Sequence, residues 1–593
     1  MVDAETTKHF INDPTHLVNT ALRAVTLTNP SVDLDAENKV IYRKPSSLPA
    51  PQVSIVSGGG SGHEPSFAAF VGHGLLTGAV AGTIFASPSA EQIRRCLMQR
   101  VSGEKGILVT VMNYTGDVLN FGMAVEKAKA SGREVEMVVV GDDVGVGREQ
   151  GGKVGRRGIA GTVLVHKISG ALAATGASLK EVAGVAQLVS DNIVSIGTSL
   201  SHVHVPGREK PQASDEELKE DEAEIGMGIH NEPGSEKATD DLPGLVKKML
   251  GHLLDQSDSD RSFLDVSSKD EVVLFINNLG GTSVLELGGI TNEAVEQLQK
   301  DYSIKPVRII SGTFMTSLNG LGFSITLLRI RDTGLGKSML ELLDAPAEAT
   351  GWAAAISTKT WAAGSQTDAG KAATQASEEG EVTSNLKIDH ELAKKALTSG
   401  LNRVIAAEAD ITQYDTIVGD GDCGIGLKRG AEAILKVLDT SRPTDDAVLF
   451  LDRIIGSVEN TMDGTSGALY AIFLNALANG LRTQDSSSAQ AVTVETWSKA
   501  LASSLQSLSK YTPAKPGDRT LIDALHPFVE TLEKTRNVKS AAEAADAGAK
   551  STRGMKASLG RTVYVGGEGW QGVPDPGAHG LAEILTGLSD GLN

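Results

Sequence analysis

Residues 53–65, Val53-Ser-Ile-Val-Ser57-Gly-Gly-Gly-Ser-Gly62-His63-Glu64-Pro65, decide the fold of the first half of the chain. A short aliphatic and β-branched run is followed at once by glycines. Near-continuous apolar runs of this length suit strands buried on both faces. Glycine then marks the strand end. Comparable runs recur at Gly106–Met112, Glu134–Val140, Glu271–Asn277, Val307–Ser311 and Ser324–Ile330, with helix-like stretches such as Met123–Ala130 between some of them. The first half is therefore predicted to be α/β, with two sub-domains. The acidic segment near 209–224 and the break before Glu271 are the candidate divisions.

The second half has a different period. Leu397, Leu401, Val404 and Ile405 share one helix face, as do Leu427, Ala431, Ile434, Leu435 and Leu438, and again Trp497, Leu501, Leu505 and Leu508. Roughly eight such segments run to the end and strand-like runs are scarce, so an all-α bundle is predicted. Between the halves, from about Leu343 to Leu386, the chain is rich in Ala, Thr, Ser, Gly and Glu, with little bulky apolar content after Trp361. This composition reads as a flexible linker. The expected division is an α/β domain over 1–345, a linker over 346–386 and a helical domain over 387–593.

Composition narrows the function. With 55 basic and 74 acidic residues the formal net charge is −19, which argues against nonspecific binding to nucleic acid or anionic membranes. It leaves anionic small molecules open. The two cysteines, Cys96 and Cys423, are far apart, which fits a reducing compartment more than a disulfide scaffold. The first residues hold no apolar signal core, and no apolar run is long enough to span a bilayer. A soluble cytoplasmic protein is expected.

Several motifs carry chemistry. Asp415-Thr-Ile-Val-Gly-Asp420-Gly-Asp422-Cys-Gly424 puts three carboxylates within eight residues on a glycine-rich turn. Such density suits a hard cation, Mg²⁺ above all, with phosphate completing the shell. The competing reading is a solvated turn whose aspartates cap the next helix. An EF-hand fails, since Ile425 and Ala431 stand where Gly and Glu belong. Gly336-Lys337-Ser338 ends like a P-loop, but Arg331 replaces its leading Gly; likewise Pro65 stands where a dinucleotide fingerprint needs its third Gly. Gly464-Thr465-Ser466-Gly467 precedes an apolar helix and suits either a phosphate or an ordinary N-cap. Asp575-Pro576-Gly577 is a turn signal, and Gly560-Arg561 could offer a guanidinium to phosphate. His63 and His230 both lie on glycine-rich turns, in Gly62-His63-Glu64-Pro65 and Met227-Gly-Ile-His230-Asn-Glu-Pro-Gly234. Two such imidazoles can surround a small polar substrate. Asp117, in Asn113-Tyr-Thr-Gly-Asp117, follows a buried-looking strand, where open α/β sheets bind ligands; otherwise it caps the helix near Val118. His166 reads as a hydrogen-bonded structural residue.

Together these segments resemble the dihydroxyacetone kinases of the ATP-dependent, two-domain, single-chain type. The match also runs through Gly155-Arg-Arg-Gly-Ile-Ala-Gly-Thr162, Asn277-Asn-Leu-Gly-Gly281, Gly322–Leu328, Gly517-Asp-Arg-Thr520 and Leu559-Gly-Arg561, in the family's order. The resemblance implies an α/β substrate domain followed by an all-helical nucleotide domain. It implies that His230 binds the ketone carbon as a hemiaminal, which selects a carbonyl over glycerol. His63 and Asp117 would hydrogen-bond the substrate and assist proton removal from its hydroxyl, with Gly60, Ser61 and Gly62 lining the pocket. Asp415, Asp420 and Asp422 would hold two Mg²⁺ bridging the ATP phosphates. Gly421, Cys423, Thr465, Ser466, Arg561, Asp575, Pro576 and Gly577 would fall at nucleotide contacts beside Asp420 and Asp422. The kinase site of such enzymes forms where the two domain types meet, often across a homodimer. Many relatives carry Lys before Asn-Tyr-Thr-Gly-Asp where this chain has Met112, and activity is expected to survive because His63, Asp117 and His230 are present. The alternatives are an FAD-AMP lyase forming cyclic FMN on the helical domain's metal site, and a non-catalytic carbonyl-sensing regulator.

Overall fold

The computed structural model describes residues 9–592 except 12, 48–49, 208–217, 354–355, 357–359, 361–382, 420, 463 and 560–568. The chain divides into two compact units, Met1–Thr367 and Asp368–Asn593. Among the described residues no helix is long and apolar enough to cross a membrane.

The first unit is α/β and holds two six-stranded sheets. The first takes the order β1-β2-β4-β3-β5-β6, from Val32–Asp35 (β1), Val40–Arg43 (β2), Ser54–Ser61 (β3), Gly78–Ile84 (β4), Ile107–Met112 (β5) and Val135–Val140 (β6). Its centre is parallel: β3 pairs β4 and β5, and β5 pairs β6. The second runs β11-β10-β12-β7-β8-β9, from Ile193–Ser199 (β7), Ala223–Ile225 (β8), Glu236–Ala238 (β9), Val272–Asn278 (β10), Arg308–Gly312 (β11) and Gly322–Arg329 (β12). Here only β10 and β11 are parallel.

The six apolar runs read from the sequence are β3, β5, β6, β10, β11 and β12. Two expectations change. Glycines 58–60 do not form a turn; they continue β3, because a side chain at Gly58 would collide with the backbone of β4, its Cβ 2.2 Å from the Val80 oxygen. The expected sub-domain divisions also move. β7, β8 and β10 belong to one sheet, so neither 209–224 nor the break before Glu271 separates two bodies. The two sheets instead share a core. The helix Thr162–Ala173 is buried along its whole length, and its Leu164 and Ile168 lie in one apolar cluster with Ile55 and Leu108 of the first sheet and Val273 and Phe275 of the second.

The unit's packing extends past residue 345. Glu348 bridges to His73, Gly351 donates to the Ala69 carbonyl at 2.9 Å, and the Trp352 ring lies 5.4 Å from that of Phe314. These residues open the segment expected as a linker, most of which lies outside the described residues.

The second unit is mostly helical. Helices span His390–Ala406, Glu408–Val418, Cys423–Thr440, Ala447–Thr461, Gly464–Arg482, Val494–Leu508, Ile522–Thr535, Val538–Ser551 and Pro576–Gly591. A two-residue parallel pair, Leu386–Lys387 (β13) with Gln490–Ala491 (β14), is the only sheet described in this unit. The predicted apolar faces are inward: Leu401, Val404, Leu427, Ala431, Ile434 and Leu438 form one buried cluster.

Candidate active site

His63 and Asp117 follow the carboxyl ends of the adjacent parallel strands β3 and β5, the edge where open α/β sheets place ligands. His230 comes from the second sheet, on the turn between β8 and β9. The structure brings the two histidines together, with Nε2 of His63 3.0 Å from Nε2 of His230.

His63 Nδ1 lies 2.8 Å from the Thr316 carbonyl, which only accepts, so Nδ1 carries the hydrogen. His230 Nδ1 lies 2.9 Å from Glu232 Oε1, so it too donates. The two Nε2 atoms are hydrogen-bonded only when one proton lies between them. Burial, together with the neighbouring His230, pushes His63 down to about 3. Burial opposes charge on Glu232, yet the His230 hydrogen bond and charge and the Arg157 charge hold it down to about 2. A carboxylate is thus fixed behind the imidazole whose other nitrogen faces the site.

The two look-alike motifs are not equivalent. Glu232 binds its own histidine through the ring and the backbone amide, at 2.9 Å each. Glu64 leaves His63 alone and accepts the Gly62 amide at 2.9 Å. Asn231 makes the difference: its backbone is left-handed, φ +62°, a conformation that asparagine tolerates. Its side chain also bonds both polar groups of the Val203 backbone at 2.9 Å.

Aromatic rings close the box. Phe85 stacks on His63 at 5.2 Å, and Phe85 and Tyr114 meet His230 edge-on at 5.1 and 4.9 Å. Gly60 and Gly62 serve this wall: a Cβ would lie 2.8 Å from the Ala86 nitrogen at Gly60 and 2.7 Å from the Phe85 ring at Gly62. The Ser61 hydroxyl donates to the Gly82 carbonyl at 2.9 Å. Met112 is buried in the shared core.

Asp117 sits in the first turn of the helix Thr115–Ala130, whose N-cap is Tyr114, so it is not the capping residue. Burial raises its carboxyl, against the Ser87 hydrogen bond and the His230 charge, which makes it a stronger proton acceptor. Asp117 Oδ1 and the Tyr114 hydroxyl are both buried without a hydrogen-bond partner, a state that a polyhydroxylated ligand would relieve. Glu232, Phe85, Thr316 and Arg157 carried no role in the sequence reading.

In the helical unit, Asp415 is buried and its Oδ2 accepts the Cys423 amide at 3.0 Å, the first residue of the helix Cys423–Thr440. Asp422 stands at the N-cap position but makes no capping hydrogen bond, so the capping reading fails for it and its exposed carboxylate is left for a ligand. Gly421 is left-handed, φ +79°. Cys423 Sγ lies 3.7 Å from the Ser466 hydroxyl in the first turn of Gly464–Arg482, which also contains Thr465. Asp575 caps Pro576–Gly591 through the Ala578 amide, with Pro576 in the first turn and Gly577 beside the carboxylate. Burial raises Asp575 to about 7, with Asp523 and Asp415 adding to the rise against the Ala578 bond and Arg519. Ser466 touches the Cys423 thiol and the Asp575 charge acts on it, so three helix N-termini lie near Cys423, each a positive dipole end suited to phosphate. Asp420 and Arg561 lie outside the described residues. Among those described no cluster of three metal-ligating side chains is assembled. Asp415 and Asp422 supply the hard oxygen donors that Mg²⁺ takes.

Residues 23–351 match the Dak1 domain and residues 417–590 the DAK2 domain. The chain belongs to the dihydroxyacetone kinase family. It is 46% identical to a dihydroxyacetone kinase of Komagataella pastoris over 97% of both chains, and 46% identical to dihydroxyacetone kinase 2 of Saccharomyces cerevisiae over 98% of both. Among solved structures it is similar to the dihydroxyacetone kinase of C. freundii, native (TM-score 0.61) and in complex with AMP-PNP and Mg²⁺ (0.59), at 30% identity, covering 98% of this chain and 99% of that one. The family's α/β and helical parts coincide with the two units described above.

Proposed function

We propose that this protein is an ATP- and magnesium-dependent kinase that phosphorylates dihydroxyacetone, with glyceraldehyde as a further acceptor. The observation that carries the reading is the His63–His230 contact beside Asp117, in a chain of this family. His230 Nε2 adds to the ketone carbon as the C=O π bond opens, its lone pair free once the proton between the two rings is on His63 Nε2. That proton goes to the new oxygen, and the positive charge stays on the substituted imidazole against Glu232. Asp117 then accepts the proton of the hydroxyl that attacks the γ-phosphoryl group, and ADP leaves. Asp415, Asp420 and Asp422 would hold Mg²⁺, which neutralises phosphate charge. Gly421, Cys423, Thr465, Ser466, Arg561, Asp575, Pro576 and Gly577 would contact the nucleotide, supported by the three helix N-termini. The family resemblance supports a cytoplasmic homodimer. With His63, Asp117 and His230 all present, Met112 is compatible with activity.

The test is ketone-dependent ATP turnover in a coupled assay, wild type beside His230→Ala. Loss of the anchor should cost roughly 100-fold in kcat/KM, the scale of a misplaced reactant. Wild-type turnover in the variant would overturn the covalent role.

A further inference from the structure

The segment Gly155–Thr162 has no part in the reading above, yet one of its side chains reaches the His230 loop. Arg156 and Arg157 diverge. Arg156 lies over the Phe263 ring at 4.3 Å. Arg157 turns inward, its Nη2 2.7 Å from the Gly226 carbonyl and 2.8 Å from Asp143 Oδ2, with Nε 2.9 Å from the same oxygen. Asp143 is 1% exposed and its other oxygen accepts the Gly145 amide at 2.8 Å. A Cβ on Gly228 would lie 2.6 Å from Arg157 Nη1 and 2.0 Å from Glu232 Oε2, so guanidinium and carboxylate flank that position without a hydrogen bond or ion pair to each other.

We propose that Arg157 is a positioning residue for the His230 chemistry: it pins the loop that carries His230 through the Gly226 carbonyl and sets its charge beside Glu232, the carboxylate partner of His230 Nδ1, with Asp143 as its buried counter-charge. The proposal rests on the hemiaminal reading. In that step the C–N bond forms at His230 Nε2 and charge builds on the imidazole. A carboxylate kept ionised at Nδ1 favours the charged product, and a fixed loop keeps Nε2 aimed at the carbonyl. The electrostatics agree, since the Arg157 charge is among the groups that hold Glu232 low. The same geometry explains Gly228, where any side chain would wedge the two charges apart.

The experiment is 13C NMR of the full chain with dihydroxyacetone labelled at the carbonyl carbon, followed from pH 5 to about 9. The tetrahedral adduct signal should appear in the wild type and vanish in His230→Ala. In Arg157→Met the adduct should fall roughly tenfold at neutral pH. Arg157→Lys should recover part of it, because it keeps the charge without the fork. Because Arg157→Met leaves Asp143 buried and uncompensated, Gly228→Ala serves as the second variant and should lower the adduct with Arg157 and Asp143 both retained. An unchanged amplitude in Arg157→Met, or in Gly228→Ala should the former fail to fold, overturns the role of Arg157 alone. No adduct in the wild type overturns the hemiaminal reading and this inference with it.

Discussion

In the α/β unit, His63 is fixed by partners 253 and 167 residues away in sequence, the Thr316 carbonyl and His230. In the helical unit, Asp415 reaches the Cys423 amide eight residues on. The first site exists only after two sheets have docked around the helix Thr162–Ala173 and the strap Thr316–Leu318 has been laid across both histidine loops. That strap is itself clamped: Ser317 Oγ donates to the Ile229 carbonyl at 2.6 Å and the Leu318 amide to Gly62 at 2.7 Å. The second site is built from helix ends, where amides are free by geometry. The covalent role proposed for His230 demands the former; the phosphate and metal roles proposed for the helical residues are served by the latter.

The largest expected effect separates the two. Asp422→Asn should cut magnesium-dependent ATP turnover roughly 100-fold, as loss of a charge-stabilising group does. It should leave ketone adduct formation unchanged. Loss of the adduct as well would show that the comparison draws its line in the wrong place. A smaller effect is expected from Ser317→Ala, which leaves the Ile229 carbonyl buried without its donor. The cost should be about 1–3 kcal/mol in urea denaturation, with KM for the ketone raised and KM for ATP unmoved. A KM change shared by both substrates would count against a strap specific to the first site.

The smallest concerns His166, which was read as a hydrogen-bonded structural residue but is fully buried with neither ring nitrogen partnered. Burial pushes its pKa down to about 3. Its folded value is thus below the ordinary 6.5, so the unfolded chain binds the proton first and stability falls as pH drops from 6.5 toward 3. His166→Leu should stay within about 1.5 kcal/mol of wild type at pH 7 and show a shallower loss in thermal melts between pH 7 and 5. An unaltered slope would mean that the ring finds a partner in solution.

What was legible followed from range. Six strands of five to eight residues could be read from their own apolar runs, whereas β4 and β7, seven residues each, were missed because Gly, Ser and Thr interrupt their runs. β8 and β9, three residues each, could not be read. The glycines after Ser57 misled because close approach of β3 to β4 demands glycine as much as a turn does. Asp415, Asp422, Cys423 and Asp575 could be named as candidates because their motifs are contiguous. His63 and His230 were found as candidates, but their contact was not, since no local pattern encodes a partner 167 residues away. Glu232 lay in plain sight within its motif; the one available signal was Asn231, a residue able to turn the chain so that a carboxylate two positions on folds back over the ring.

The tail that ends at Trp352 has a consequence for dissecting this protein. Composition invites a cut at 345, where bulky residues thin out. Such a cut would strip Trp352 from Phe314, whose carbonyl holds the Ser66 hydroxyl and which lies two residues before Thr316, the anchor of His63. It would also remove Gly351 from its seat against Pro65 and Phe70. A separated first half trimmed there would be cut loose at the back wall of its candidate site.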